Sequence, residues 1–160
     1  MRQVKISSSE PAGEAAGPID LSTLQQMVGF HVHMFDLVQY QKFYDRFASG
    51  LFTPAVFSTL TVIRQNPGVR HGALADALRI RRPNMTAMLN ALQRAGYVSR
   101  RPSAADKRSV ALYLTERGAR ALAEMSQAMF ALDREMTADL SAPERKTLLT
   151  LLRKALNGGS

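Results

Sequence analysis

Apolar positions recur every three or four residues along most of the chain, and Pro, Gly and Asn break that rhythm into a series of helices. Asp20 offers a cap from which a long helix is predicted to run to about Ser49. Two apolar stripes coexist on it. Leu21, Leu24, Val28, Phe35 and Val38 form one, with His31 filling its gap, and Met27, Phe30, Met34, Leu37 and Tyr44 form the other. A surface helix needs only one stripe, so this helix is expected to be covered from two directions, by its own domain and by a second copy of the chain. Thr53 and Pro54 then open a short helix whose Val56, Phe57, Leu60 and Ile63 face a core until Asn66, Pro67 and Gly68 end it.

His71 to Leu78 makes a second short helix, and a brief turn at Arg79 and Ile80 leads to a third from about Arg82 to Ala95. On the third, Met85, Leu89 and Leu92 share one face, while Pro83, Ala87, Asn90 and Arg94 point the opposite way with Asn84 and Thr86 beside them. Gly96 should end this helix. Two strand-like runs follow, Tyr97 to Arg101 and Ser109 to Leu114, joined by a segment with a basic tip. They predict a hairpin. Thr115 should cap a long helix carrying Leu122, Met125, Met129, Leu132 and Met136, and Ser141, Pro143 and Glu144 spell a capping box for a last helix carrying Leu148, Leu149, Leu152 and Leu156. The fold class is thus mainly α with a small β-hairpin. Residues 1–18, rich in Ser, Pro and Gly, bury too little to offset ordering and are expected to be a flexible arm.

Charge sharpens this picture. The 160 residues carry 21 Lys and Arg against 13 Asp and Glu, a net +8. Between Arg70 and Arg108 nine basic residues face only Asp76 and Asp106, so one quarter of the chain holds nearly all of the excess. A merely solvated surface would mix signs. Two short helices joined by a tight turn, the second polar outside, followed at once by a basic hairpin, form a winged helix-turn-helix pattern suited to the major groove of duplex DNA.

The run Leu74, Ala75, Asp76, Ala77, Leu78, Ile80, Arg82, Pro83, Asn84, Thr86, then Leu92, Ala95, Gly96, Tyr97 and Val98, with Asp106, Lys107, Arg108 and Thr115 after it, resembles the MarR-type regulators of bacteria and archaea. The resemblance spans about Asp20 to Leu156 and is most specific between Thr53 and Gly118. It implies a winged helix-turn-helix DNA-binding domain at 51–115 fused to a helical dimerisation region formed by 19–50 and 116–157. It further implies a homodimer on double-stranded DNA, commonly a repressor, with Arg81, Arg82, Pro83, Asn84, Thr86, Ala87, Asn90 and Arg94 at or beside the recognition helix. The matching wing residues are Arg101, Asp106, Lys107 and Arg108, of which Arg108 would enter the minor groove and Asp106 would pair with it. Two positions depart from the family. Arg79 stands where glycine is usual, so the turn is expected to differ locally, since a left-handed arginine is costly; Arg81 stands where a serine cap is common.

The resemblance also implies a small-molecule effector, often an aromatic or phenolic anion, near the junction of the dimerisation helices with the winged domain. His31, Met34, Phe35 and Phe57 are the candidates there, although core packing is the ordinary role of the Met and Phe residues and an interface hydrogen bond that of His31. The chain has no Cys, and His31 and His33 lie on different helix faces, so no metal site or cofactor is expected. No phosphate-binding Gly-rich loop, serine elbow or acid pair points to an enzyme. The N-terminus lacks the apolar stretch of a signal peptide and no run reaches membrane length, so a cytoplasmic protein is expected. The competing expectation is a winged-helix module that docks a protein and does not read DNA; the polar, basic face of the third helix counts against it.

Overall fold

The computed structural model describes residues 19–46, 51–102 and 110–157. It divides into two compact units, Met1–Met34 and Phe35–Ser160, each described by itself. The elements in order are a short 3-10 turn at Leu24–Gln26, α1 (Val28–Arg46), α2 (Pro54–Gln65), β1 (Val69–Arg70), α3 (His71–Ala77), α4 (Arg82–Arg94), β2 (Val98–Pro102), β3 (Val110–Leu114), α5 (Glu116–Met136) and α6 (Ala142–Asn157).

In the first unit the long helix starts later than the sequence predicts. The Asp20 carboxylate accepts the Ser22 N–H at 2.8 Å, closing a local turn two residues on. That turn feeds only the 3-10 segment, which ends at Met27 in extended geometry, φ −102° and ψ 121°. Asp20 therefore caps a turn, and α1 begins at Val28.

The second unit is built around one core. Val56, Leu60 and Ile63 of α2, Leu74 and Ala75 of α3, Met85, Leu89 and Leu92 of α4, Val98 and Leu112 of the sheet, and Leu122 and Met125 of α5 are buried together. Phe57 packs against this core at its margin. Thr53 caps α2 by accepting the Val56 N–H, with Pro54 in the first turn as predicted. The sheet has three antiparallel strands in the order β1-β3-β2, with Val69 opposite Leu112 and Arg100 opposite Leu112 from the other side. The hairpin is as expected, but β1, only two residues long, adds a strand to its edge.

The junction between sheet and α5 is closely packed. Thr115 Oγ1 accepts the Gly118 N–H at 3.0 Å and donates to the Gly96 carbonyl at 2.6 Å, so one side chain caps α5 and holds the end of α4. Gly96 itself has φ +73° and closes α4 through Tyr97 N–H to Leu92 O and Gly96 N–H to Gln93 O, each 2.9 Å. Farther along, Glu135 takes both Lys42 and Arg46 of α1, and Asp133 takes Arg145 of α6. At Ser141 the capping box forms from the Glu144 side: its carboxylate accepts the Ser141 N–H at 2.8 Å.

Gly118 is needed for close approach. A Cβ there would lie 2.1 Å from the Tyr97 carbonyl oxygen and 2.9 Å from a Leu114 methyl. Both the backbone of β2's approach and the start of α5 would have to move. Gly118→Ala is expected to destabilise the fold by about 3 kcal/mol or more, read as a lowered midpoint in urea denaturation.

Candidate nucleic-acid interface

The helix-turn-helix is α3, the turn at 78–81 and α4. Arg79 occupies the left-handed region, φ +52°, so the turn keeps the geometry that glycine usually supplies and the expected local departure does not occur. Two backbone bonds hold it: Arg79 N–H to Asp76 O at 3.2 Å and Ile80 N–H to Ala75 O at 2.9 Å, the paired closure of a Schellman motif. Ile80 then packs against the core, which ties down the residue after the strained one. The Arg79 guanidinium reaches the Leu156 carbonyl of α6 at 3.3 Å. Arg81 makes no side-chain cap, as its type dictates, and Pro83 stands in the first turn of α4.

Met85, Leu89 and Leu92 are completely buried, which fixes the rotation of α4 about its axis. The opposite side carries Pro83, Asn84, Ala87 and Arg94, all exposed, with Arg81, Arg82 and Thr86 exposed at the same end and Asn90 half-buried. The amphipathic split read from the sequence is therefore present. Arg82 approaches Asp76 at 3.6 Å with both side chains about 70% exposed, 70% and 68%, a contact of little energetic weight. Thr86 is more committed. Its hydroxyl donates to the Arg82 carbonyl at 2.9 Å and, having one proton, accepts from Nε2 of His71 at 3.0 Å.

Of the wing residues, Arg101 is exposed on β2, its guanidinium carbon 5.0 Å from the centre of the Tyr113 ring. Asp106, Lys107 and Arg108 lie outside the described residues. Two further arginines join the surface without having been singled out in the sequence. Arg70 stands across Ala111 from Arg101 in the strand register, and Arg100 donates from Nη2 to Oδ1 of Asn90 at 2.7 Å, linking wing to recognition helix. A cleft of about 200 Å³ lies beside this link, lined by His71, Thr86, Leu89, Arg100, Val110 and Leu112. The pattern of alternate positions in β2 was a signal for Arg100: it shares the inner face with Val98.

The four effector candidates are placed as follows. His31 Nε2 pairs with the Gln25 carbonyl at 2.8 Å and its ring meets Phe30 edge-on. Met34 and Phe35 are exposed on α1, and Phe57 lies against the core of the second unit. Among the described residues no group of three or more His, Cys, Asp or Glu could hold a metal ion, and no helix is long and apolar enough to cross a membrane.

A buried tri-helical core, a second helix with a polar outer face and a three-stranded wing define a winged helix-turn-helix protein. The MarR family model matches residues 52–110. A protein assigned as the transcriptional regulator of the hcr operon in Thauera aromatica is 31% identical over 147 residues, covering 91% of this chain and 88% of that one. Among solved structures, the transcriptional repressor CouR bound to a 23-mer DNA duplex matches with a TM-score of 0.79 at 31% identity, over 88% of this chain and 99% of that one. A mutant MarR from E. coli complexed with operator DNA matches at 0.72 and 30% identity, over 86% and 99%. The chain belongs to the MarR family of DNA-binding transcriptional regulators.

The strain at Arg79 is measurable. Arg79→Gly removes a left-handed penalty of about 1–2 kcal/mol but adds unfolded-state entropy of about 0.5–1 kcal/mol, so a net stabilisation of up to about 1 kcal/mol is expected. Arg79→Ala loses the same contact to Leu156 and keeps the penalty. A higher denaturation midpoint for the Gly variant, absent for the Ala variant, identifies the backbone as the cause.

Proposed function

We propose that the protein is a homodimeric repressor that binds a pseudo-palindromic operator, with half-sites about one helical turn apart, and is released by a small molecule. The observation that carries this is α4: three buried side chains hold it, and its outward side offers exposed Asn84, Ala87, Arg82 and Arg94, groups suited to base edges and phosphates. The wing residues Arg101, Asp106, Lys107 and Arg108 supply the second contact, with Arg108 in a narrow minor groove where negative potential is enhanced.

The homodimer is supported by apolar surface that one chain leaves uncovered. The 16 residues of α6 include no buried residue, and Leu148, Leu149, Leu151 and Leu156 on it are exposed. On α1, Val28, Val32, Leu37 and Val38 are exposed as well. Unpartnered apolar helix faces of this extent mark an interaction surface. The effector is expected to be an aromatic or phenolic anion, with His31, Met34, Phe35 and Phe57 as its candidate contacts.

Fluorescence anisotropy with the duplex upstream of the gene, across roughly 50–200 mM salt, tests the DNA reading. Expected are binding well above that to a random duplex, a mass in sedimentation of twice the chain, and a steep loss of affinity with salt. Arg108→Ala is expected to weaken the operator complex about tenfold or more. Equal affinity for operator and random duplex at moderate salt would refute the regulator. Phenolic carboxylates titrated into the complex should release the DNA, and a reporter behind the operator should rise when the gene is deleted.

A further inference from the structure

The contact between Arg100 and Asn90 constrains how α4 can read a base. A guanidinium has five N–H donors and no acceptor, so the atom of Asn90 that faces Arg100 at 2.7 Å is its carboxamide oxygen, and the amino group is directed elsewhere. Asn90 is half-buried on the side of α4 that meets the wing, and the bond to Arg100 holds its amide in one orientation. Arg100 is exposed and sits in β2, hydrogen-bonded in register with β3, so the strand positions it independently of α4.

Asparagine recognises adenine by using both ends of its amide: the oxygen accepts from N6–H and the amino group donates to N7. The Asn90 oxygen has two lone pairs and Arg100 takes one, so an arriving adenine amino group would have to use the other, with the positive end of its N–H dipole brought close to a cation. Guanine presents acceptors at both O6 and N7 on the same edge, matched to the Asn90 amino group and attracted by the guanidinium beside it. We propose that Arg100 biases Asn90 toward reading through its amino group, which favours guanine over adenine at one position of each half-site. Arg100 acts here as a positioning residue, through Asn90. The inference rests on the DNA-binding function proposed above and adds a specificity rule to it.

The test is selection of duplexes from a randomised library by the full chain, followed by titration of half-sites carrying each of the four base pairs at every selected position. Wild type, Asn90→Ala, Arg100→Met and Arg100→Lys are compared. Wild type is expected to prefer guanine over adenine about tenfold at one position, and Asn90→Ala to lose preference at that position alone. Arg100→Lys, which still donates to the oxygen, should keep the preference. Arg100→Met, which frees the oxygen, should shift it to adenine at the same position. A uniform loss of affinity in Arg100→Met with base preference intact would show a phosphate contact and overturn the inference, as would an unchanged consensus for Asn90→Ala or a wild-type preference for adenine there. In these cases DNA reading itself stands. A wild-type protein that selects no sequence overturns the functional proposal and this inference with it.

Discussion

Met85, Leu89 and Leu92 point into the core from a single face of α4, and everything the outer face does depends on that anchorage. Burying three such side chains contributes roughly 5–9 kcal/mol, comparable to the whole net stability of a domain. A helix of 13 residues would be marginal alone in water, so tertiary packing makes it a helix at all. The same packing sets its rotation. Were the apolar face displaced by one residue, the helix would turn by about 100° and the face carrying Asn84 and Ala87 would be carried round with it, away from its present outward position.

The wing is held to this anchor by backbone and side-chain bonds that cross between elements. Thr115 ties the end of β3 and the start of α5 to the carbonyl that ends α4, and Gly118 lets α5 approach the Tyr97 backbone closely. Strand β2 then delivers Arg100 to Asn90 and α3 delivers His71 to Thr86. Two polar side chains of the recognition helix are thus oriented by neighbours outside it. A surface organised in advance loses less entropy on binding than one of free side chains, so contacts of this kind favour discrimination between bases over general adhesion.

Much of this was legible in the sequence because the signals are local. The buried triplet on α4, the stop at Gly96, the caps at Thr53 and Thr115 and the Ser141–Glu144 box each depend on residues within one or two turns. The failures have physical reasons. An aspartate that closes a turn and one that caps a helix look alike in sequence, so the break at Met27 was hidden behind Asp20. A strand of two residues has no period to detect, and Val69–Arg70 becomes a strand only because β3 lies beside it. At Arg79 the intrinsic cost of a left-handed arginine was legible, but not the two backbone bonds and the packing of half-buried Ile80 against the core that outweigh it. Arg100 and Asn90 are ten positions apart on different elements, and only the folded hairpin shows that they meet.

The arginines at the turn show how the fold sorts residues of one type. Arg79, Arg81 and Arg82 are nearly consecutive and all exposed, and the sequence offers little to separate them. Arg79 is directed to the Leu156 carbonyl in the last turn of α6, where the helix dipole favours a cation, and so is drawn away from α4. Arg82, at the start of α4, lies where that helix's dipole disfavours a cation, and Asp76 at 3.6 Å offsets part of the cost. Arg81 has no ion pair among the described residues and gives no cap. Arg79 and Arg82 each have a protein contact to give up before their guanidinium groups could meet another partner. Arginine at the cap position of α4 thus leaves the helix without a side-chain cap and sets an exposed cation at its start, where the dipole of the helix gives no support to it.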